Sequence, residues 1–187
     1  MAGIGCVECA GRVARGFTLV ELMVVIALLA GLALFTAPAF DQWRMRERVD
    51  ARSRTLLGAM AFARAEAMRL GTRVTLCRAA RDGTCLRPDA GCGAAGWSCD
   101  WAVHADVGGR ARVLRHFPHD PEVVVAGALH ELAFTPPAGQ VIGGFRRFEV
   151  RSRRSVSIVE QARASRCVRI AAGGRARVVA GRCEGVA

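Results

Sequence analysis

Residues 22–40 of this 187-residue chain contain no charged side chain. The run reads LMVVIALLAGLALFTAPAF, 19 residues, about 28 Å of helix at ~1.5 Å per residue. That is just enough to cross a hydrocarbon core about 30 Å thick. Arg12 and Arg15 precede it and, under the positive-inside rule, would keep the amino end cytoplasmic and the rest of the chain across the membrane, in the periplasm. An ordinary secretory signal places its small-residue cleavage site after the apolar core. Here the small residue, Gly16, comes before it. Glu21 is out of place as well, because a carboxylate near the membrane costs a few kcal/mol on insertion scales. It can snorkel to the interface, take up a proton, or wait for a partner charge in an assembled state.

The segment Gly16-Phe17-Thr18-Leu19-Val20-Glu21-Leu22, followed by that apolar run, resembles the type IV prepilin motif. The resemblance implies cleavage between Gly16 and Phe17 by a prepilin peptidase, which also methylates the new amino group of Phe17. It further implies that Glu21 pairs with the amino terminus of a neighbouring subunit, so that assembly neutralises a buried charge. Pro38 falls where helices of such proteins often kink or melt, since proline removes a backbone donor. Cys6 and Cys9 form a C-x-x-C inside the expected leader. A zinc site there would need two more ligands.

Residues 41–70 read DQWRMRERVDARSRTLLGAMAFARAEAMRL. Trp43, Val49, Leu56, Leu57, Met60, Phe62, Ala63, Ala67, Met68 and Leu70 recur at helical spacing, with charges between them. One helix is expected over residues 17–70, a membrane half (17–40) and an amphipathic half (41–70), with Gly71 as its stop. The apolar stripe needs a cover, and residues 71–187 supply strands. Residues 73–77, 101–105, 112–117, 122–126, 132–134, 147–150, 155–159 and 167–171 have alternating or β-branched character, punctuated by Gly and Pro. The expected fold is α+β, one helix packed on one or two antiparallel sheets.

Six cysteines follow the apolar run, an even number that suits disulfides in an oxidising compartment. Their spacing does not fit the usual zinc patterns. Locality suggests the pairs Cys77–Cys85 and Cys92–Cys99 in a loop rich in Gly, Asp and Ala. Cys167 and Cys183 are expected to clamp a final hairpin, a closure worth roughly 3 kcal/mol.

The net charge is +11 and every basic residue is Arg. Removing residues 1–16 would leave +10, from 25 Arg less 15 acidic residues. Residues 146–182 alone hold eleven Arg against Glu149 and Glu160, a local +9. Such a balance favours nucleic acid, anionic lipid or acidic partners. Inside it, enclosed by Cys167 and Cys183, stands Gly173-Gly174-Arg175-Ala176-Arg177. Glycines permit a tight hairpin, and guanidinium groups pair bidentately with phosphate. The string GGRARV occurs twice, at residues 108–113 and 173–178, and either copy can be only a turn.

The strand-rich region after Gly71, the phrase Leu132-Ala133-Phe134-Thr135-Pro136 and the terminal Cys-x(n)-Gly-Arg-x-Arg-x(n)-Cys segment resemble the GspH/FimT family of minor pilins and pseudopilins. In FimT-like members a Gly-Arg-x-Arg loop binds DNA during natural transformation. The resemblance therefore implies that Arg175 and Arg177, with Gly174 in their loop, contact double-stranded DNA. Arg182, Arg169 and Arg166 are candidates from charge and proximity alone. Cys85, Cys92 and Cys99 match no pattern of that family.

No Ser/His/Asp arrangement, phosphate-loop string or zincin motif is visible. His116, His119 and Asp120 form an HFPHD stretch that reads as a polar loop, and Trp97 and Trp101 read as packing residues. The chain is expected to be non-enzymatic, without metal or cofactor. Its expected partners are the prepilin peptidase, other pilins or pseudopilins in a filament, the inner membrane and DNA. Two alternatives stay open. One is a structural pseudopilin of a type II secretion system or a pilus-priming subunit without DNA binding. The other is a non-pilin membrane-anchored protein whose basic domain touches lipid or surface polymer.

Overall fold

The computed structural model describes residues 18–93, 95–141, 146–154 and 157–184, without the side chains of residues 34–38. Gly16, Phe17 and the C-x-x-C of Cys6 and Cys9 lie outside the described residues. Two compact units are distinguished, Met1–Asp41 and Gln42–Ala187.

Helix α1 runs Leu19–Leu70 and is assigned without a break through position 38. In the first unit its described apolar side chains, among them Leu19, Val20, Met23, Ile26, Leu28 and Leu29, are all exposed. A helix that is apolar all round has no solvated face, so in the cell this segment needs lipid or other protein around it. Among the described residues, no helix is long and apolar enough to cross a membrane.

In the second unit, Val49, Leu56, Ala59, Met60, Ala63 and Ala67 of α1 are fully buried. Each lies three, four or seven residues from another of the set, so they share one face. Trp43 (58% exposed) and Met68 (45%) lie off that face, although both fit the periodicity. The helix stops where Gly71 takes φ +64°, its N–H donating to the carbonyl of Ala67.

The strands are β1 (Val74–Ala79), β2 (Asp100–Val107), β3 (Arg110–Phe117), β4 (Val123–Gly127), β5 (Glu131–Thr135), β6 (Gln140–Val141), β7 (Arg146–Ser152), β8 (Arg166–Ile170) and β9 (Ala176–Ala180). They form two antiparallel sheets, β3-β2-β1-β5-β6 and β4-β7-β8-β9. One core unites helix and sheets: Leu56 and Met60 cluster with Leu76, Trp97, Trp101, Phe134, Phe148, Val168 and Ile170. Trp97 meets Phe148 edge-on, with ring centroids 4.9 Å apart.

Within the expected strand 155–159, residues 157–159 form a capped helix start instead. Residues 155 and 156 lie outside the described set, and helix α2 spans Ile158–Ala164. Ser157 caps it, its side chain accepting from the Glu160 N–H. The signal was in the sequence: Ser157 and Glu160 are spaced as a capping box, which outranks the β-branched pair Ile158-Val159. The short β6 had no sequence signal.

Candidate functional site

The basic hairpin consists of β8, a turn, and β9. In the turn, the Ala171 N–H donates to the Arg175 carbonyl (3.0 Å) and the Gly174 N–H to the Ala171 carbonyl (2.8 Å). Gly174 has φ +76° and is buried. A Cβ there would run into the carbonyl oxygen of Gly139 and come within 3.5 Å of Arg64 Cδ. Arg64, on α1, also donates to the Ala138 carbonyl (3.1 Å). The turn is therefore seated against the β5–β6 connection and the helix, and only glycine fits the contact. Arg175 and Arg177 project from this seat into solvent. Among the described residues neither they nor Arg169 has an acidic partner.

The Cys167–Cys183 disulfide closes the far end of the hairpin. Beside it lies Glu149, only 4% exposed. Glu149 accepts from the Cys183 N–H (3.1 Å) and is approached by Arg182 (3.5 Å) and Arg151 (3.9 Å). One buried carboxylate thus holds the chain end against the sheet, and Arg182 is spent largely on it. Arg166 is committed too, pairing with Asp50 of α1 at 2.5 Å. Of the five arginines singled out from the sequence, Arg169, Arg175, Arg177 and Arg182 are exposed, and the first three are the ones without an acidic partner among the described residues.

The first copy of the string sits elsewhere. Gly108 and Gly109, both at positive φ, form the two-residue turn between β2 and β3, and a Cβ on either would meet nothing within 4 Å. Arg110 and Arg112 lie on β3, an edge strand exposed along most of its length.

The remaining cysteines form Cys77–Cys85 and Cys92–Cys99 bridges. They tie the loop between β1 and β2 to the first sheet, where Ala79 also bridges Cys85. His104 lies close enough to Cys77 and Cys85 to suggest a metal trio, but the two sulfurs are already bonded to each other. The HFPHD stretch runs from the end of β3 into an exposed polar loop that is tied to Asp100. His116 Nε2 (3.0 Å) and His119 Nδ1 (2.8 Å) both meet Asp100, which also accepts the His119 N–H. Burial opposes ionisation of Asp100, but these hydrogen bonds and the charges of the two imidazoles outweigh it and hold the carboxyl below its usual range. Behind the clasp, Arg52 lies buried over the Trp101 ring at 3.4 Å and donates to the carbonyls of Pro118 and Cys99. Burial lowers its pKa to about 10, against the opposing pull of Asp120 and Asp100, so it stays charged at neutral pH. Neither Asp100 nor Glu149 carried a local signal, because both act on partners distant in sequence.

At the amino end of α1, the Glu21 N–H donates to Thr18 Oγ1 at 3.2 Å. Thr18 and Glu21 thus have capping-box spacing, which places an acid in the first turn where the helix dipole favours it. The capping and the expected charge partner are separate roles for the same motif.

Two crystal structures of the type IV minor pilin FimU from Pseudomonas aeruginosa PAO1 are similar in fold. They are 15% identical to this chain, with TM-scores of 0.50 and 0.53. The matches cover 70% and 72% of this chain and 91% and 90% of theirs. No curated protein sequence matches the chain. A model of the prokaryotic N-terminal methylation motif matches residues 11–36, and the model of the type II transport protein GspH matches residues 52–174. Bearing that amino-terminal motif ahead of the helix-and-sheet domain described above, the chain belongs to the GspH family.

Proposed function

We propose that this protein is a minor pilin that is cut between Gly16 and Phe17, methylated at Phe17, anchored in the inner membrane with its basic domain in the periplasm, and then built into a filament where it binds DNA. The observation that carries the DNA reading is the seated hairpin. Arg175 and Arg177 stand exposed on a turn pinned by Gly174 and closed by Cys167–Cys183, while the nearby carboxylates Glu149 and Asp50 are occupied by other arginines. A turn already pinned in place loses little backbone freedom when its unneutralised guanidinium groups meet phosphate. Guanidinium contacts to phosphate carry no sequence information, so binding through these arginines should be independent of sequence and strongly salt-dependent. The full-length protein in detergent should shift labelled duplex DNA at low salt. Changing Arg175→Gln with Arg177→Gln should nearly abolish the shift, and retained affinity would refute the reading.

The exposed apolar half of α1 favours a second reading in which packing among pilins is the whole function, as in a secretion pseudopilin or a pilus-priming subunit. Both readings use Glu21 as the partner of a neighbour's amino group. Glu21→Gln keeps the backbone cap on Thr18 and removes only the charge, so it should block filament incorporation. Normal incorporation would show that the cap alone matters.

A further inference from the structure

The two ladders of the second sheet put three arginines in one line. Arg147 of β7 is the register partner of Arg169 on β8, and Arg169 is the register partner of Arg177 on β9. Register partners in a sheet point to the same face. All three are exposed, and the face is the one opposite the core, since their neighbours Phe148, Val168 and Val178 point inward. Like charges set directly opposite one another destabilise a sheet. A fold that places three in a row bears that repulsion unless an anion relieves it.

The next row on this face is Glu149, Cys167 and Val179. Its carboxylate is buried and already held by Cys183, Arg182 and Arg151. The acid therefore secures the disulfide end and leaves the arginine row uncompensated. Arg147 donates to the Glu184 carbonyl, a neutral acceptor that steadies the side chain without cancelling its charge.

We infer that Arg147, Arg169 and Arg177 form a phosphate-binding row across the sheet that takes the backbone of one strand of duplex DNA, with Arg147 as a contact that the hairpin motif does not include. The inference rests on the DNA reading above. At about 4.8 Å between strands, the row spans about 10 Å. One DNA strand presents a phosphate about every 3.4 Å along the axis, so the row faces roughly three nucleotides. The hydrogen-bond ladder fixes this spacing in advance.

The test is the salt dependence of DNA binding by the full-length protein in detergent, with thermal melting as a check on folding. Arg147→Gln should lower the slope of log affinity against log salt by about 0.9, and Arg147→Lys should restore it. Arg163→Gln, an equal charge change on α2 away from the row, should leave the slope intact. An unchanged slope in Arg147→Gln, with binding still lost in the Arg175 and Arg177 variant, would overturn the row and leave the hairpin reading standing. No binding by the unaltered protein would overturn both. Arg147-dependent capture on vesicles of anionic phospholipid, with Arg147-independent DNA binding, would overturn DNA as the occupant of the row.

Discussion

Six identical residues, GGRARV, do different work at residues 108–113 and 173–178. The first copy turns the β2–β3 hairpin in open space, and neither glycine would clash if it carried a side chain. The second is wedged against Gly139 and Arg64, so Gly174 is required by contact as well as by its positive φ. The hairpins are also fastened differently. The first is held at its base by Asp100 between His116 and His119, the second by a disulfide. A local string specifies that the chain can turn. Whether the turn presents its arginines rigidly depends on what lies behind it.

The largest expected difference is in DNA affinity. Arg175→Gln with Arg177→Gln should weaken binding on the order of 100-fold at low salt and cut the salt slope by about 1.8. Arg110→Gln with Arg112→Gln removes the same charge and should cost less than about threefold. Equal losses would show that net charge alone governs binding. Next, replacing Cys167 and Cys183 by Ala should destabilise the domain by about 3 kcal/mol in denaturant unfolding, as their sequence separation of 16 suggests. DNA affinity should fall with it, because the row and turn lose their clamp.

Smaller effects separate the glycines. Gly174→Ala should cost about 2 kcal/mol or more, from overpacking added to backbone strain. Gly109→Ala should cost only the strain, about 1 kcal/mol. Comparable melting temperatures would show that the wedge is soft. The smallest effect concerns the clasp of the first hairpin. The folded-state pKa of Asp100 is depressed, so its contribution is present above the unfolded value, about 3.9, and lost as pH falls through the folded one. Asp100→Asn should cost about 1 kcal/mol near neutrality and flatten acid unfolding below pH 4, leaving the disulfide-closed hairpin unaffected.

Much of this architecture is legible in the chain because its signals are short-range. Helical spacing marks the face of Leu56, Met60, Ala63 and Ala67, alternation marks most strands, and Gly71 marks the helix end. Where signals competed, the local reading failed. Ile158 and Val159 look like strand, but the Ser157 cap prevails; Trp43 and Met68 fit the helical period, but both stay exposed. Arg182 and Arg166 looked equivalent to Arg169 from proximity, yet their carboxylate partners lie 33 and 116 residues away in sequence.

The sequence by itself determined the amino-terminal motif, the helix, the strand-rich domain, the local spacing of the cysteines and the excess of arginine, because each is written within a few neighbouring residues. Tertiary structure alone decided which arginines are neutralised by Glu149 and Asp50, which glycine is wedged, and that Arg147, Arg169 and Arg177 fall into register. Strand register and buried ion pairs join residues far apart along the chain, and their energies exist only once the core has brought the two sheets and the helix together.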